Sequence, residues 1–298
     1  METQIVIQSD TGPIRSTRQP KIVGWVEILG VQIHKVRMSD VLSLLEHMIE
    51  SGERHHVMTV NPEFVMIAQR NQQFRSVLNN ASLLFPDGIG LVLASGLLGG
   101  KLPERVAGVD VVEKFASIAG EKEYRMFLLG AAPGVAERAA AMLQQRYPRL
   151  IIAGTYAGSP HPSEEEEICR RINDVSPHML LVAYGPPHQD LWIARNFYRI
   201  NVPVSMGVGG TFDFIAHVIP RAPLMVRKSG LEWLYRLVRQ PHRWRRMLAL
   251  PRFAFLVARE RLRAGVYPKS GVSEVTMQCS FAQRTLGADL GDQGKGVR

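Results

Sequence analysis

Cysteine is nearly absent: the 298-residue chain has two, Cys169 and Cys279, with no CxxC and no Cys/His spacing around either. That excludes a disulfide scaffold and a structural zinc site of the usual kind, and it suits a reducing compartment. Long apolar runs are missing too. The longest candidate, residues 89–98, is broken by Ser95 and Gly96, short of the ~18 to 20 residues that cross a bilayer. The opening METQIVIQSDTGP has no basic stretch followed by an apolar one, so no secretory signal is read there and a cytoplasmic location is expected. No Asp-x-Asp triplet occurs, and the nine histidines show neither HxH nor HxxxH spacing. Clustered metal ligands are therefore absent from the sequence pattern.

What is present is an ordinary globular mixture, 46% hydrophobic and 21% charged, with a net charge of +9 that is unevenly placed. Residues 221–263 hold twelve Lys or Arg against two acids, Glu232 and Glu260, while the rest of the chain carries 24 basic and 25 acidic residues. The basicity belongs to one segment. Such a block seeks phosphates, on nucleic acid, anionic lipid or a phosphorylated substrate.

The hydrophobic pattern divides the chain into four parts. Residues 1–20 are polar with Gly12, Pro13 and Pro20, and read as a flexible arm. Residues 22–36 alternate around Gly30 as a small hairpin, and a helix opens at a Ser39 cap and stops at Gly52. Strands are expected at 55–59, 82–85, 125–129, 150–154, 179–183 and 202–206. Helices are expected at 62–70, 89–98, 109–119, 134–146, 163–174, 188–199 and 211–217. Short, nearly all-apolar strands such as MLLVAY are buried on both faces, which marks a largely parallel sheet with helices on both sides. Residues 21–220 thus predict a Rossmann-like α/β domain, with ligands beyond the carboxyl ends of its strands. Residues 221–265 mix helix-period apolar residues with arginines, divided by Pro241 and Pro251, as a basic amphipathic helical appendage. Past Pro268 the chain turns Gly, Ser, Gln and Asp rich, and residues 266–298 are expected to be disordered.

The turns after the strands hold the candidate chemistry. Thr59-Val60-Asn61-Pro62 offers Asn61 as a helix N-cap with proline at the first helical position. Phe85-Pro86-Asp87-Gly88 offers Asp87 either as a cap or as a carboxylate at the sheet edge able to accept a proton. Arg105 sits in a short connection. Gly185-Pro186-Pro187-His188-Gln189-Asp190 starts another helix, and Gly207-Val208-Gly209-Gly210-Thr211-Phe212-Asp213 is a glycine-rich turn of the kind that cradles phosphates.

Taken in order, TVNP, PDGIG, ERVAG, GPPHQD, GVGGTFDF, RAP, LEWLYRL and PHRWRR resemble the WecG/TagA/CpsF glycosyltransferase family over roughly residues 25 to 255. The resemblance implies transfer of a sugar, N-acetylmannosamine or another hexose, from a UDP-sugar to a polyprenyl-diphosphate-linked acceptor in cell-envelope polymer synthesis. It implies catalytic roles for Asp87 as base, with Thr59 and Arg105. It places Asn61, Gln189, Gly209, Gly210 and Asp213 at the donor, and Arg236, Arg243 and Arg246 at the acceptor diphosphate. His188 and Asp190 stand where the family has lysine and glutamate, and Pro86 where a small residue is common; these changes touch the donor side.

With no Asp-x-Asp triplet, no metal or other cofactor is expected; arginines and backbone amides would neutralise departing UDP. A single displacement with Asp87 as base inverts the anomeric centre. The expected partners are a UDP-sugar, a lipid-linked sugar and an anionic membrane surface on the cytoplasmic side, with no nucleic acid, and self-association left open. Two other classes compete. A nucleotide-dependent oxidoreductase would need GxGxxG after the first strand, where TVNPEF stands. A nucleic-acid-binding protein would use the basic block, although Trp233, Tyr235, Trp244, Phe253 and Phe255 among its leucines suit a lipid interface at least as well.

Overall fold

The computed structural model describes residues 22–228, 232–239, 241, 244–263 and 270–274. It opens with a hairpin, β1 (Ile22–Ile28) and β2 (Val31–His34), followed by α1 (Met38–Ser51). Leu29 and Gly30 both take positive φ (51° and 78°), the backbone that a tight two-residue hairpin turn requires. Next come β3 (His55–Val60), α2 (Pro62–Ala68), α3 (Gln72–Asn80), β4 (Leu83–Pro86), α4 (Ile89–Leu97) and α5 (Gly108–Glu121). Then follow β5 (Arg125–Gly130), α6 (Val135–Arg146), β6 (Ile151–Tyr156), α7 (Glu165–Val175), β7 (Met179–Ala183), α8 (His188–Asn196), β8 (Val204–Gly207) and α9 (Thr211–Ile215). The appendage contributes α10 (Leu224–Lys228), α11 (Glu232–Arg239), α12 (Trp244–Met247) and α13 (Ala249–Arg263), and β9 (Ser270–Glu274) comes last.

Six parallel strands form the main sheet in the order β4-β3-β8-β7-β5-β6. Alternate residues of β3, β4, β5 and β7 feed cores on opposite faces. Val57, Phe85 and Leu128 face the side of α1, α5, α6 and α9, while Met58 and Leu84 face the side of α2, α3, α4 and α13. Burial on both faces is why these strands read as continuous apolar runs. The second sheet is small and antiparallel, β2-β1-β9.

Several expectations shift. α1 begins one residue before Ser39, with Arg37 at the N-cap and its N–H donating to Asp40 Oδ2 (2.9 Å). Asp40 is the better acceptor because its carboxylate complements the helix's positive end. α3 was not expected: its QQFRSVLNN is polar, and only Phe74, Val77 and Leu78 are buried. Asn71 caps it by accepting from the Phe74 N–H (2.9 Å).

The disorder expected over 266–298 is corrected at Ser270–Glu274. Sheet pairing with β1, from Ile22↔Glu274 to Val26↔Ser270, satisfies backbone groups whatever the side chains, so a Gly/Ser-rich segment forms a strand there. The remainder of that tail and the 1–20 arm lie outside the described residues. α11 ends at Arg239 and α12 starts at Trp244, on either side of Pro241, so the described part of the basic segment holds separate short helices. α13 buries Phe253 and Val257 among Phe64, Leu91 and Ala94, which makes it part of the core.

Candidate active site

A cavity of about 850 Å³ opens beyond the carboxyl ends of β3, β4, β7 and β8 and is roofed by α11, α12 and α13. That volume suits a nucleotide-sugar-sized ligand. Its sheet end is polar, with Thr59, Asn61, Asp87, Gln189 and Asp213, whereas Leu93, Leu97, Leu237 and Leu250 line its outer end.

Asp87 follows β4 and is pinned by its own N–H, which donates to Val60 O (2.7 Å). Its Oδ2 accepts from the Gly108 N–H (3.0 Å), the first residue of α5. A side chain at 108 has no room: a Cβ there would lie 2.8 Å from Thr59 Cγ2 and 3.4 Å from Asp87 Oδ2. Glycine therefore lets the Thr59 strand end, the Asp87 carboxyl and the α5 N-terminus meet. Burial pushes the Asp87 pKa up to about 7, against the lowering pull of the Gly108 N–H and of Arg105. Glu232 and Asp110 push it up further. A carboxylate with that pKa is half ionised at neutral pH and more basic than an ordinary aspartate, which suits general base chemistry.

Gln189 is fully buried. Its Oε1 accepts from the N–H of Gly185 (3.1 Å) and of Gly209 (2.9 Å), tying the turn after β7 to the turn after β8. The next residue, Asp190, is also fully buried. Neither of its oxygens has a hydrogen-bond partner among the described residues, and the nearby base is His56, with Nε2 at 3.6 Å from Oδ1. Burial raises the Asp190 pKa. Gly207 on β8 admits this pair, since a Cβ there would collide with Asp190 Oδ1 and Gln189 Nε2.

The cavity gathers Thr59, Asn61, Asp87, Arg105, Gln189, Gly209, Gly210, Asp213 and Arg246, which are far apart in sequence. Asn61 fills the N-cap role, with Oδ1 accepting from the N–H of Glu63 (2.9 Å) and Phe64 (3.3 Å). In the glycine turn, the Gly209 N–H goes to Gln189 and the Thr211 N–H to Val208 O, so those two amides are spent inside the protein. Arg236 lies on α11, and Arg243 is outside the described residues. Arg246 reaches Glu63 with both nitrogens, Nε to Oε1 at 2.6 Å and Nη2 to Oε2 at 2.9 Å. Arg105 donates to Glu232 Oε2 (3.1 Å). Sequence reasoning missed both glutamates, and Glu232 carried a signal: it is one of only two acids in the basic block.

Among the described residues, no three His, Cys, Asp or Glu side chains converge as a metal site would require. No described helix is long and apolar enough to cross a membrane.

A family model described as "Glycosyl transferase WecG/TagA/CpsF family" matches residues 26–266, which takes in every element that builds the cavity. The chain belongs to this family. It is a glycosyltransferase. A Bacillus subtilis relative named N-acetylglucosaminyldiphosphoundecaprenol N-acetyl-beta-D-mannosaminyltransferase is 34% identical over 76% of this chain and 88% of its own. A Staphylococcus aureus relative of the same name is 32% identical over 79% of this chain and 93% of its own.

Proposed function

We propose that this glycosyltransferase moves a hexose, N-acetylmannosamine in the first instance, from UDP to a sugar held on polyprenyl diphosphate, with inversion and without a metal ion. The observation that carries the reading is Asp87, a half-buried carboxyl held by the Gly108 N–H at the sheet end of the cavity, with its pKa pushed up to about 7. The acceptor hydroxyl approaches the anomeric carbon on the face opposite UDP, and Asp87 takes its proton. The new C–O bond forms as the bond to the UDP β-phosphate oxygen breaks, and UDP leaves with that electron pair. Arg105 balances the charge it gathers. The acceptor class follows the relatives' names, which specify a diphosphoundecaprenol-linked sugar.

A lipid-linked acceptor supports reading the enzyme as a peripheral protein on the inner face of the membrane. Trp244, Leu248, Phe255 and Leu262 are exposed on α12, α13 and the link between them, at 53%, 56%, 65% and 88%, among the arginines of the basic block. Apolar residues beside cations are what an anionic bilayer surface binds.

The test is a panel of UDP-sugars with a short-chain N-acetylglucosaminyl-diphosphate lipid as acceptor, following UDP release and glycolipid formation with and without EDTA. Turnover with UDP-N-acetylmannosamine or a related hexose, undiminished by EDTA, is expected. No turnover with any UDP-sugar overturns the donor assignment, and a strict Mg²⁺ or Mn²⁺ requirement overturns the metal-free chemistry.

A further inference from the structure

The carboxylate of Glu232 lies at the cavity wall between two guanidinium groups, that of Arg105, which also lines the cavity, and that of Arg221, which does not. Its Oε2 accepts from Arg105 Nη2 at 3.1 Å, and its Oε1 is 3.7 Å from Arg221 Nε. All three side chains are largely enclosed, exposed by 18%, 19% and 17% for Arg105, Glu232 and Arg221. Arg221 spends Nη1 on Asp110 Oδ1 (2.7 Å), yet its Nε and Nη2 are buried without a hydrogen-bond partner among the described residues. Arg105 and Arg221 thus share the Glu232 carboxylate, and Arg221 has Asp110 and Glu113 beside it as well, whereas Arg105 faces the cavity. A carboxylate offers two acceptor oxygens, whereas a diphosphate offers more oxygens and more charge to the same donors.

We infer that Glu232 is a stand-in for substrate phosphate: a diphosphate entering the cavity takes its place on Arg105, and α11 changes partners as it does so. This rests on the diphosphate-substrate reading proposed above. Glu232 cannot stay where it is with a diphosphate on Arg105, because the two anions would lie a few ångströms apart at a low-dielectric wall. It is the first residue of α11, the helix that also places Trp233 and Leu237 on the cavity. Occupancy by phosphate is thereby passed to the roof of the site. Glu232 acts here as a positioning residue that competes with substrate, and it also keeps Arg105 and Arg221 from repelling each other while the site is empty.

The experiment titrates UDP, uridine and a short-chain prenyl diphosphate onto the full chain, comparing wild type, Glu232→Gln, Arg105→Ala and the double variant. Removing the competing charge should tighten UDP binding about fivefold, the scale of a partly exposed ion pair. Uridine affinity should not change, and the gain should vanish in the Arg105→Ala background. A purely structural ion pair would instead weaken UDP and uridine alike. Tightening seen for prenyl diphosphate rather than UDP upholds the exchange and assigns it to the acceptor. If Glu232→Gln binds both diphosphates no more tightly than wild type, the inference is overturned. A wild-type chain that binds prenyl diphosphate but no UDP sinks the donor assignment alone, and the exchange is then judged on prenyl diphosphate. Hydrogen exchange on the unmutated chain guards against a variant that fails to fold. The α11 amides should exchange faster with the bound diphosphate than with uridine, and equal or slower exchange also overturns it.

Discussion

Asp87 shows how position sets chemistry at the scale of one residue. In the sequence its local pattern favours a helix cap over a base, and what separates the two is the enclosure by Thr59, Gly108 and Arg105, which no local pattern displays. The α4 that follows has Gly88 at its N-cap, with no side-chain cap bond, so Asp87 does not cap its own helix; the N–H it holds belongs to the first residue of α5. Asp87→Asn should lower turnover about 10²-fold or more with UDP affinity kept, the usual loss for a general base. The wild-type kcat/KM should rise with pH through about 7 as Asp87 ionises, and that limb should be missing from the variant's residual rate. Stability should move the other way. The folded-state pKa lies above the unfolded one, so the native chain holds the extra proton between pH ~4 and 7 and its stability falls as pH rises through that window. Asp87→Asn should therefore stabilise the fold at pH 8 by about 1 to 3 kcal/mol, less than the full shift because the carboxyl borders an open cavity. The gap should shrink toward pH 4, and urea melts at the two pH values check the sign. A variant less stable than wild type at pH 8 would mean that the carboxylate is held favourably and is not raised.

Elements are where hydrophobic period was informative and where it ran out. The parallel strands were legible because both faces are buried, and Gly52 and Asn61 were legible as helix boundaries because capping is local chemistry. α3 was not legible, since three apolar residues in nine are too few to show a period. β9 was not legible either, because its stability comes from an edge supplied by a segment at the other end of the described chain. The appendage gave its basic charge in the sequence but not its docking. Phe253 is 4% exposed and Val257 2%, on a helix packed against α2 and α4. Phe253→Ala should cost about 3 kcal/mol of that docking. Hydrogen exchange in α13 should then speed by about a hundredfold, while β7 and β8 keep their protection. If α13 exchanges at the wild-type rate, its contact with the core is not held by Phe253.

For the whole molecule the decisive quantity is where the charge lies, and this was fully legible: a near-neutral α/β body joined to a block with twelve cations. Structure adds that some of those cations are committed internally, Arg221 to Asp110 and Arg246 to Glu63, so the field available to a bilayer is smaller than the count suggests. The chain should co-sediment with vesicles rich in anionic lipid and not with neutral ones, and 0.5 M salt should release most of it. Equal binding to both vesicle types would show that the exposed apolar residues alone hold the surface, and equally tight binding to duplex DNA would reopen the nucleic-acid alternative. The small antiparallel sheet also governs how the molecule is made. β1 is among the first described segments to be synthesised, yet among the described residues its outer edge pairs with Ser270–Glu274, some 250 residues later by the Ile22↔Glu274 register. Until that stretch has left the ribosome, an apolar strand stands with an open row of N–H and C=O groups, the kind of edge that recruits other chains. Pairing across so long a loop is slow, so the hairpin waits longest for its last partner. A ribosome that stalls inside the basic block releases a protein with its sheet unsealed and its roof unclosed, a product marked for aggregation or proteolysis before it can meet a lipid.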